Sequence, residues 1–212
     1  MLKTLEEKVD PRHAALLVVD VQNDFCHSDG VLGKRGRKLT LTQRMVPRLI
    51  KLISQARQAT VPVIYIRQSV SHWDMSPVRL EIRARHNIPA DESPCREGTW
   101  GAEFYRVRPK ADDYIVNKHR YSAFIGTDLD LILRSRDIKT VIMTGVATNA
   151  CVESTARNAF MKDYYVVFVR DCAATTNLRD HNATLRVMEA FFGTVVSYLE
   201  VVAAWQKLAS AR

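Results

Sequence analysis

Paired cysteines, paired histidines and long apolar runs are all missing from this chain. Its four cysteines, Cys26, Cys95, Cys151 and Cys172, stand apart with no CxxC spacing, which removes the usual signal of a redox couple or a zinc knuckle. A reducing compartment argues against structural disulfides. The six histidines show neither HxH nor HExxH spacing, so no metal site is signalled and no cofactor is expected. No stretch approaches the roughly 18 uninterrupted apolar residues of a membrane helix. The opening "MLKTLEEKVDPRH" is charged and lacks the apolar run of a signal peptide. A cytoplasmic protein without a membrane partner is expected. Internal repeats, low-complexity tracts and composition breaks are absent as well. The 212 residues, 47% of them hydrophobic, fit a single domain over 1–212 with a sizeable core.

Acidic residues are the minority charge: 23 Asp and Glu face 31 Lys and Arg, a formal net charge of +8. Much of the excess lies in 33–44, "GKRGRKLTLTQR", and 78–86, "VRLEIRARH". Such runs are commonly solvated loops and helix faces. The functional alternative is attraction of a small anionic substrate, with Arg83 and Arg85 as the residues to test. Nucleic acid is not an expected partner, because no recognition motif accompanies the charge.

What the chain does contain is an alternation. "AALLVVD" (14–20), "VPVIYIR" (61–67), "YIVNK" (114–118), "TVIMTG" (140–145), "YVVFVRD" (165–171) and "TVVSY" (194–198) read as strands. Between and after them, helical patterns run over 41–59, 127–136, 151–163, 180–192 and 199–209. The first has an apolar face of Met45, Val46, Leu49, Ile50, Ile53 and Ala56. Strands apolar on both faces and separated by helices imply βαβ units and an all-parallel sheet. The expectation is an α/β fold: one doubly wound domain, six parallel strands, helices on both faces. Residues 71–113, broken by Pro77, Pro89, Pro94 and Pro109, read as a long irregular insertion covering the sheet edge.

In such sheets ligands bind beyond the carboxyl ends of the strands. That rule selects Asp20, Lys118, Cys151 and Asp171. A thiol becomes a good nucleophile as its thiolate, which a nearby cation or helix start favours. Cys151 opens a predicted helix, Lys118 can supply the cation, and Asp20 can accept the thiol proton and return it to a leaving nitrogen. The "GVATN" turn can offer backbone N–H donors to an oxyanion. Each residue also has a plainer reading: packing for Cys151, a cap or loop anchor for Asp20, solvation for Lys118. Cys172 reads as packing, Cys26 and Cys95 as loop residues without a role, and Asp171 as a tie for a loop.

The blocks "ALLVVDVQNDF", "VNKHRYSAFIGTDLDLILRS" and "TGVATNACVESTARNAFMKDYYVVFVRDC" together resemble the isochorismatase-like cysteine hydrolases, over nearly the whole chain. The resemblance implies a six-stranded parallel α/β fold and a catalytic triad at Asp20, Lys118 and Cys151. It also implies a cis peptide between Val146 and Ala147, with the amides of Ala147 and Cys151 as the oxyanion hole. Nicotinamidase-like members carry an Asp-x-His metal motif after the second strand. This chain has "IRQSVSHWD" there, so metal dependence is not expected. "KHRYSAF" and "GVATNACVEST" are most similar to the branch containing ureidoacrylate amidohydrolase, and less so to biuret and N-carbamoylsarcosine hydrolases.

The expected activity is therefore metal-independent cleavage of a carbamoyl, ureido or amide C–N bond through a thioester. Phe25, Gln68 and Tyr121 are the candidate substrate contacts, with packing as the plainer reading for Phe25 and Tyr121. A homo-oligomer acting on a small amide or ureide is expected, with an anionic one favoured if the basic stretches flank the pocket. The alternatives are a vinyl-ether hydrolase of the isochorismate type, and a non-catalytic α/β protein using Cys151 as a redox or ligand-binding thiol.

Overall fold

A computed structural model describes residues 1–89 and 92–211. Six strands form one sheet: β1 Ala14–Val19, β2 Val63–Gln68, β3 Tyr114–Lys118, β4 Thr140–Val146, β5 Tyr165–Ala174 and β6 Thr194–Val196. Their order is β3-β2-β1-β4-β5-β6, and every pairing is parallel. β1 and β4 are wholly buried, which is why their sequences are unbroken apolar runs. Chain order runs outward from β1 in both directions, so a crevice opens beyond the carboxyl ends of β1 and β4.

The helices are α1 Leu5–Lys8, α2 Asn23–Cys26, α3 Val31–Lys34, α4 Thr40–Gln58, α5 Pro77–Arg85, α6 Leu129–Ser135, α7 Glu153–Met161, α8 Leu178–Phe191 and α9 Tyr198–Ser210. They build one core on each sheet face. Met45, Leu49 and Ile53 of α4 and Val201 and Trp205 of α9 pack with Leu16, Val18 and Tyr65. Leu129 and Leu133 of α6, Ala156 and Ala159 of α7 and Met188 of α8 pack with Leu17, Val19 and Ile66. On α4 it is Leu52 that faces inward, while Ile50 is exposed, so the apolar stripe is turned slightly from the one expected.

Two sequence expectations need correction. Within 71–113 (residues 90 and 91 lie outside the described residues) the chain forms the nine-residue α5, started by Pro77 and capped by the Ser76 side chain. No residue of α5 is buried, so it leaves no hydrophobic signature. The insertion also leaves the sheet edge open: Tyr114, Ile115 and Asn117 of β3 are exposed. It lies instead over α2 at the carboxyl rim. There Cys95 N–H donates to Asp24 Oδ2 at 2.7 Å, Asn23 Nδ2 to the Trp100 carbonyl at 2.8 Å, and Gln22 pairs with Phe104 in an antiparallel bridge. Among the described residues, no helix is long and apolar enough to cross a membrane.

Candidate active site

Three elements deliver three reactive side chains to the crevice. β1 ends at Val19, and Asp20 follows in a left-handed conformation (φ 51°), a region Asp tolerates better than most residues. Lys118 is the last residue of β3. Cys151 lies in a π-helical turn, Thr148–Val152, between β4 and α7; it precedes the α-helix proper rather than opening it. The Val146–Ala147 peptide is cis, and the Ala147 carbonyl accepts the N–H groups of Ala150 and Val152, closing the turn.

Lys118 Nζ stands at the centre. It is 2.8 Å from Asp20 Oδ2 and 3.3 Å from Cys151 Sγ. It also donates to Gln68 Oε1 at 2.8 Å and to the Arg120 carbonyl at 3.0 Å. Asp20 and Lys118 are fully buried and Cys151 is 7% exposed. A buried ion pair is weak evidence of a stability role, because desolvation offsets its Coulombic gain. Two loops of the site are stitched by Thr155: its hydroxyl donates to the Cys151 carbonyl at 2.7 Å and accepts the Ala123 N–H at 3.0 Å.

Burial dominates the electrostatics. It lifts the Asp20 carboxyl above the ordinary carboxylate range, with Lys118 opposing. It works against the charge on Lys118, but Asp20 and Cys151 outweigh it and hold the ammonium above its ordinary value. The Cys151 thiol is pushed up to about 12, by burial first and the Asp20 charge second, against the pull of Lys118. At rest the sulfur keeps its proton, because desolvation and a neighbouring anion both penalise a second negative charge.

The candidate substrate contacts separate. Gln68 is buried, with its side chain turned to Lys118 and its backbone held by Gln22, which accepts Gln68 N–H at 2.9 Å and donates to the Gln68 carbonyl at 3.0 Å. Tyr121 is 64% exposed rather than packed. Phe25 is half-buried in α2 against the α4-side core. A cleft of about 350 Å³, lined by Gln68, Ser69, Glu103, Asn117 and His119 among others, adjoins the site without including the three reactive residues. Arg83 donates to the Ser93 hydroxyl and the Pro89 carbonyl, and Arg85 pairs with Glu81 at 2.6 Å, so both are taken up by local partners.

Cys172 is buried in β5. Cys26 and Cys95 are wholly buried too, not open loop residues. Cys95 lies close enough for the Asp20 charge to help burial raise its thiol; a loop context hid this. Asp171 ties elements together: its carboxylate accepts Tyr198 N–H at 2.8 Å and its carbonyl accepts Arg48 Nη1 at 3.3 Å. Sequence reading also missed Gln22, whose only signal was its place two residues after Asp20. Among the described residues, no group of three or more His, Cys, Asp and Glu side chains is arranged to hold a metal ion.

Comparison with known proteins extends this picture. The family model described as "Isochorismatase domain" matches residues 14–199. The ureidoacrylate amidohydrolase RutB of Methylobacterium radiotolerans is 32% identical over 204 residues, covering 88% of this chain and 77% of that protein. A cysteine hydrolase from Pseudomonas syringae pv. phaseolicola superposes with a TM-score of 0.81 at 30% identity, over 94% of this chain and 95% of that one. An N-carbamoylsarcosine amidase from Thermoplasma acidophilum superposes with a TM-score of 0.70 at 32% identity, over 88% and 96%. With the sheet order and the crevice already described, these matches show that the chain belongs to the isochorismatase family of hydrolases.

Proposed function

We propose that this chain is a metal-independent cysteine amidohydrolase that cleaves a C–N bond of a small carbamoyl, ureido or amide substrate through a thioester on Cys151. The observation that carries the reading is the central position of Lys118 Nζ, within hydrogen-bonding distance of both Asp20 and Cys151 in a largely buried site. The names of the ureidoacrylate amidohydrolase and N-carbamoylsarcosine amidase relatives support the substrate class. The four unpaired cysteines fit a reducing, cytoplasmic setting. The exposed Tyr114 and Ile115 on the open edge of β3 fit a homo-oligomer.

In this reading the substrate carbonyl lies above Sγ, its oxygen toward the amides of Ala147 and Cys151. Cys151 gives its proton to Asp20 as the S–C bond forms. Burial has raised the Asp20 carboxyl, which makes it a better proton acceptor than a solvated carboxylate. The tetrahedral intermediate collapses, the C–N bond breaks, and Asp20 returns the proton to the leaving nitrogen. Water, deprotonated by Asp20, then attacks the thioester. The acid or carbamate leaves and the thiol is restored. Lys118 keeps its charge throughout and offsets the single negative charge wherever it sits. Tyr121, exposed beside the rim, is assigned to the substrate.

A panel of ureides, carbamoyl compounds and amides, assayed for ammonia or amine release, tests this. The expected result is turnover that survives prolonged chelation and falls by a factor of about a thousand or more in Cys151→Ala, with a covalent adduct on Cys151 by mass spectrometry. Turnover of isochorismate that persists in Cys151→Ala would establish vinyl-ether hydrolysis instead. Loss on chelation reversed by zinc or manganese would refute the metal-free reading. Reversible Cys151 oxidation without turnover of any substrate would favour a redox thiol.

A further inference from the structure

A second cleft, also about 350 Å³, opens at the carboxyl end of β5 between α4 and α8. Its polar walls carry three arginines, Arg44, Arg48 and Arg170, against one acid, Asp171. Arg48 and Arg170 are partly engaged, Arg48 with Asp171 at 3.7 Å and Arg170 with Glu200 at 3.1 Å. Arg44 has no hydrogen-bond or ion-pair partner among the described residues. Thr175 also lines the cleft. It is 93% buried, being 7% exposed, and its hydroxyl has no hydrogen-bond partner among the described residues. The hydroxyl stays accessible from the cleft, where a ligand can donate to it or accept from it. The rest of the wall is apolar, with Met45, Leu178 and Leu185.

We infer that this cleft binds a small organic carboxylate, its anionic head between Arg44 and the Thr175 hydroxyl and its apolar body against Met45 and Leu185. Guanidinium groups match carboxylates with paired N–H donors, and such charge-assisted bonds are among the stronger polar contacts. Leu178 and His181 place the amino-terminal turn of α8 on the same cleft, which adds a favourable field for an anion. The inference stands whether or not Cys151 is a nucleophile, since no member of the Asp20–Lys118–Cys151 cluster lines this cleft.

The cleft is also wired to the crevice. His181 Nδ1 is 2.9 Å from the Thr148 hydroxyl, in the turn that carries Cys151. A ligand held against His181 therefore touches a side chain bonded to that turn.

Benzoate is a suitable probe, with benzyl alcohol as its uncharged counterpart, each titrated calorimetrically into the intact protein. Benzoate is expected to bind saturably, and benzyl alcohol at least about tenfold more weakly. Arg44→Gln is expected to weaken benzoate by roughly tenfold or more, the worth of one charge-assisted hydrogen bond. Arg44 is exposed on α4, so this variant does not disturb the core. Thr175→Val, nearly equal in volume, is expected to weaken benzoate severalfold. Cys151→Ala is expected to leave benzoate affinity unchanged. Binding lost in Cys151→Ala but kept in Arg44→Gln would move benzoate to the triad and overturn the inference. So would equal affinity for the alcohol, or no saturable binding at millimolar benzoate.

Discussion

Gln68 is the residue whose position most changes how the site is understood. As a substrate contact it would set affinity. In the fold its amide oxygen is turned onto Lys118 Nζ at 2.8 Å, while its Nε2 donates to the Ser69 carbonyl at 3.2 Å. Its amide is engaged with Lys118 and Ser69, while the residue also lines the adjoining cleft. Gln68→Leu is then expected to lower kcat by roughly tenfold to a hundredfold, with KM changed far less, because it removes a bond to a charged group that acts during the reaction. A rise in KM at unchanged kcat would return Gln68 to the role of substrate contact. The position at the end of β2 could be read from sequence. Which neighbour the amide finds could not, because that depends on β3 lying beside β2.

Among elements, the junction of β1 and β4 bears the tightest backbone contact near the site. Gly145 has φ +108°, and a Cβ there would meet the Val19 carbonyl oxygen at 2.0 Å. The β4–β5 register shifts at the same point, between Met143 and Gly145. Gly98 also has positive φ, at +74°, but open space around it. Gly145→Ala is expected to destabilise by about 3 kcal/mol or more and Gly98→Ala by only about 1–2 kcal/mol in denaturant unfolding. Equal losses would mean that the close approach to Val19 is not rigid. Most strands and the helices α4, α6, α7, α8 and α9 are legible in the sequence because each buries an apolar run or stripe, and periodicity reports burial. The same reason hides α5, which buries nothing. Strand order is silent too, since continuous apolar strands fit several parallel arrangements. Asp20, Lys118 and Cys151 could be singled out because each follows or ends an apolar run. The protonation of Cys151 could not, since it arises from how closely the three are packed.

Across the whole molecule, the Asp24 carboxylate of α2 is one of several ties that hold the insertion at the carboxyl rim. Asp24 accepts Val31 N–H at 3.0 Å through one oxygen and Cys95 N–H at 2.7 Å through the other. Gly101 sits so close that a Cβ there would strike the Asp24 carboxylate. Asp24→Ala removes both bonds and leaves two backbone donors unpaired, at about 1–3 kcal/mol each where they are buried. The expected result is faster proteolysis within 92–103, with fragments mapped by mass spectrometry, while the sheet stays folded by circular dichroism. A cleavage pattern identical to that of the unaltered protein would show that Gln22 and Asn23 hold the insertion without it.

The Asp20–Lys118–Cys151 cluster also behaves as a charge-conserving cell. It is largely buried, holds one cation, Lys118, and has room for one negative charge at a time. That charge can rest on oxygen or on sulfur, and Lys118 touches both positions. Replacing the carboxylate by its neutral isostere vacates one position, so the charge should pass to the other. Asn is also among the few residues at ease with the left-handed backbone at position 20. Asp20→Asn should therefore bring Cys151 titration, followed by iodoacetamide alkylation against pH, well below about 12, while hydrolysis is lost for want of a proton carrier. An unmoved titration would mean that desolvation alone holds the proton on sulfur. By the same parity, neutral electrophiles such as aldehydes and nitriles should be captured more readily than anions of equal size, and a freshly formed carboxylate beside the sulfur should be expelled.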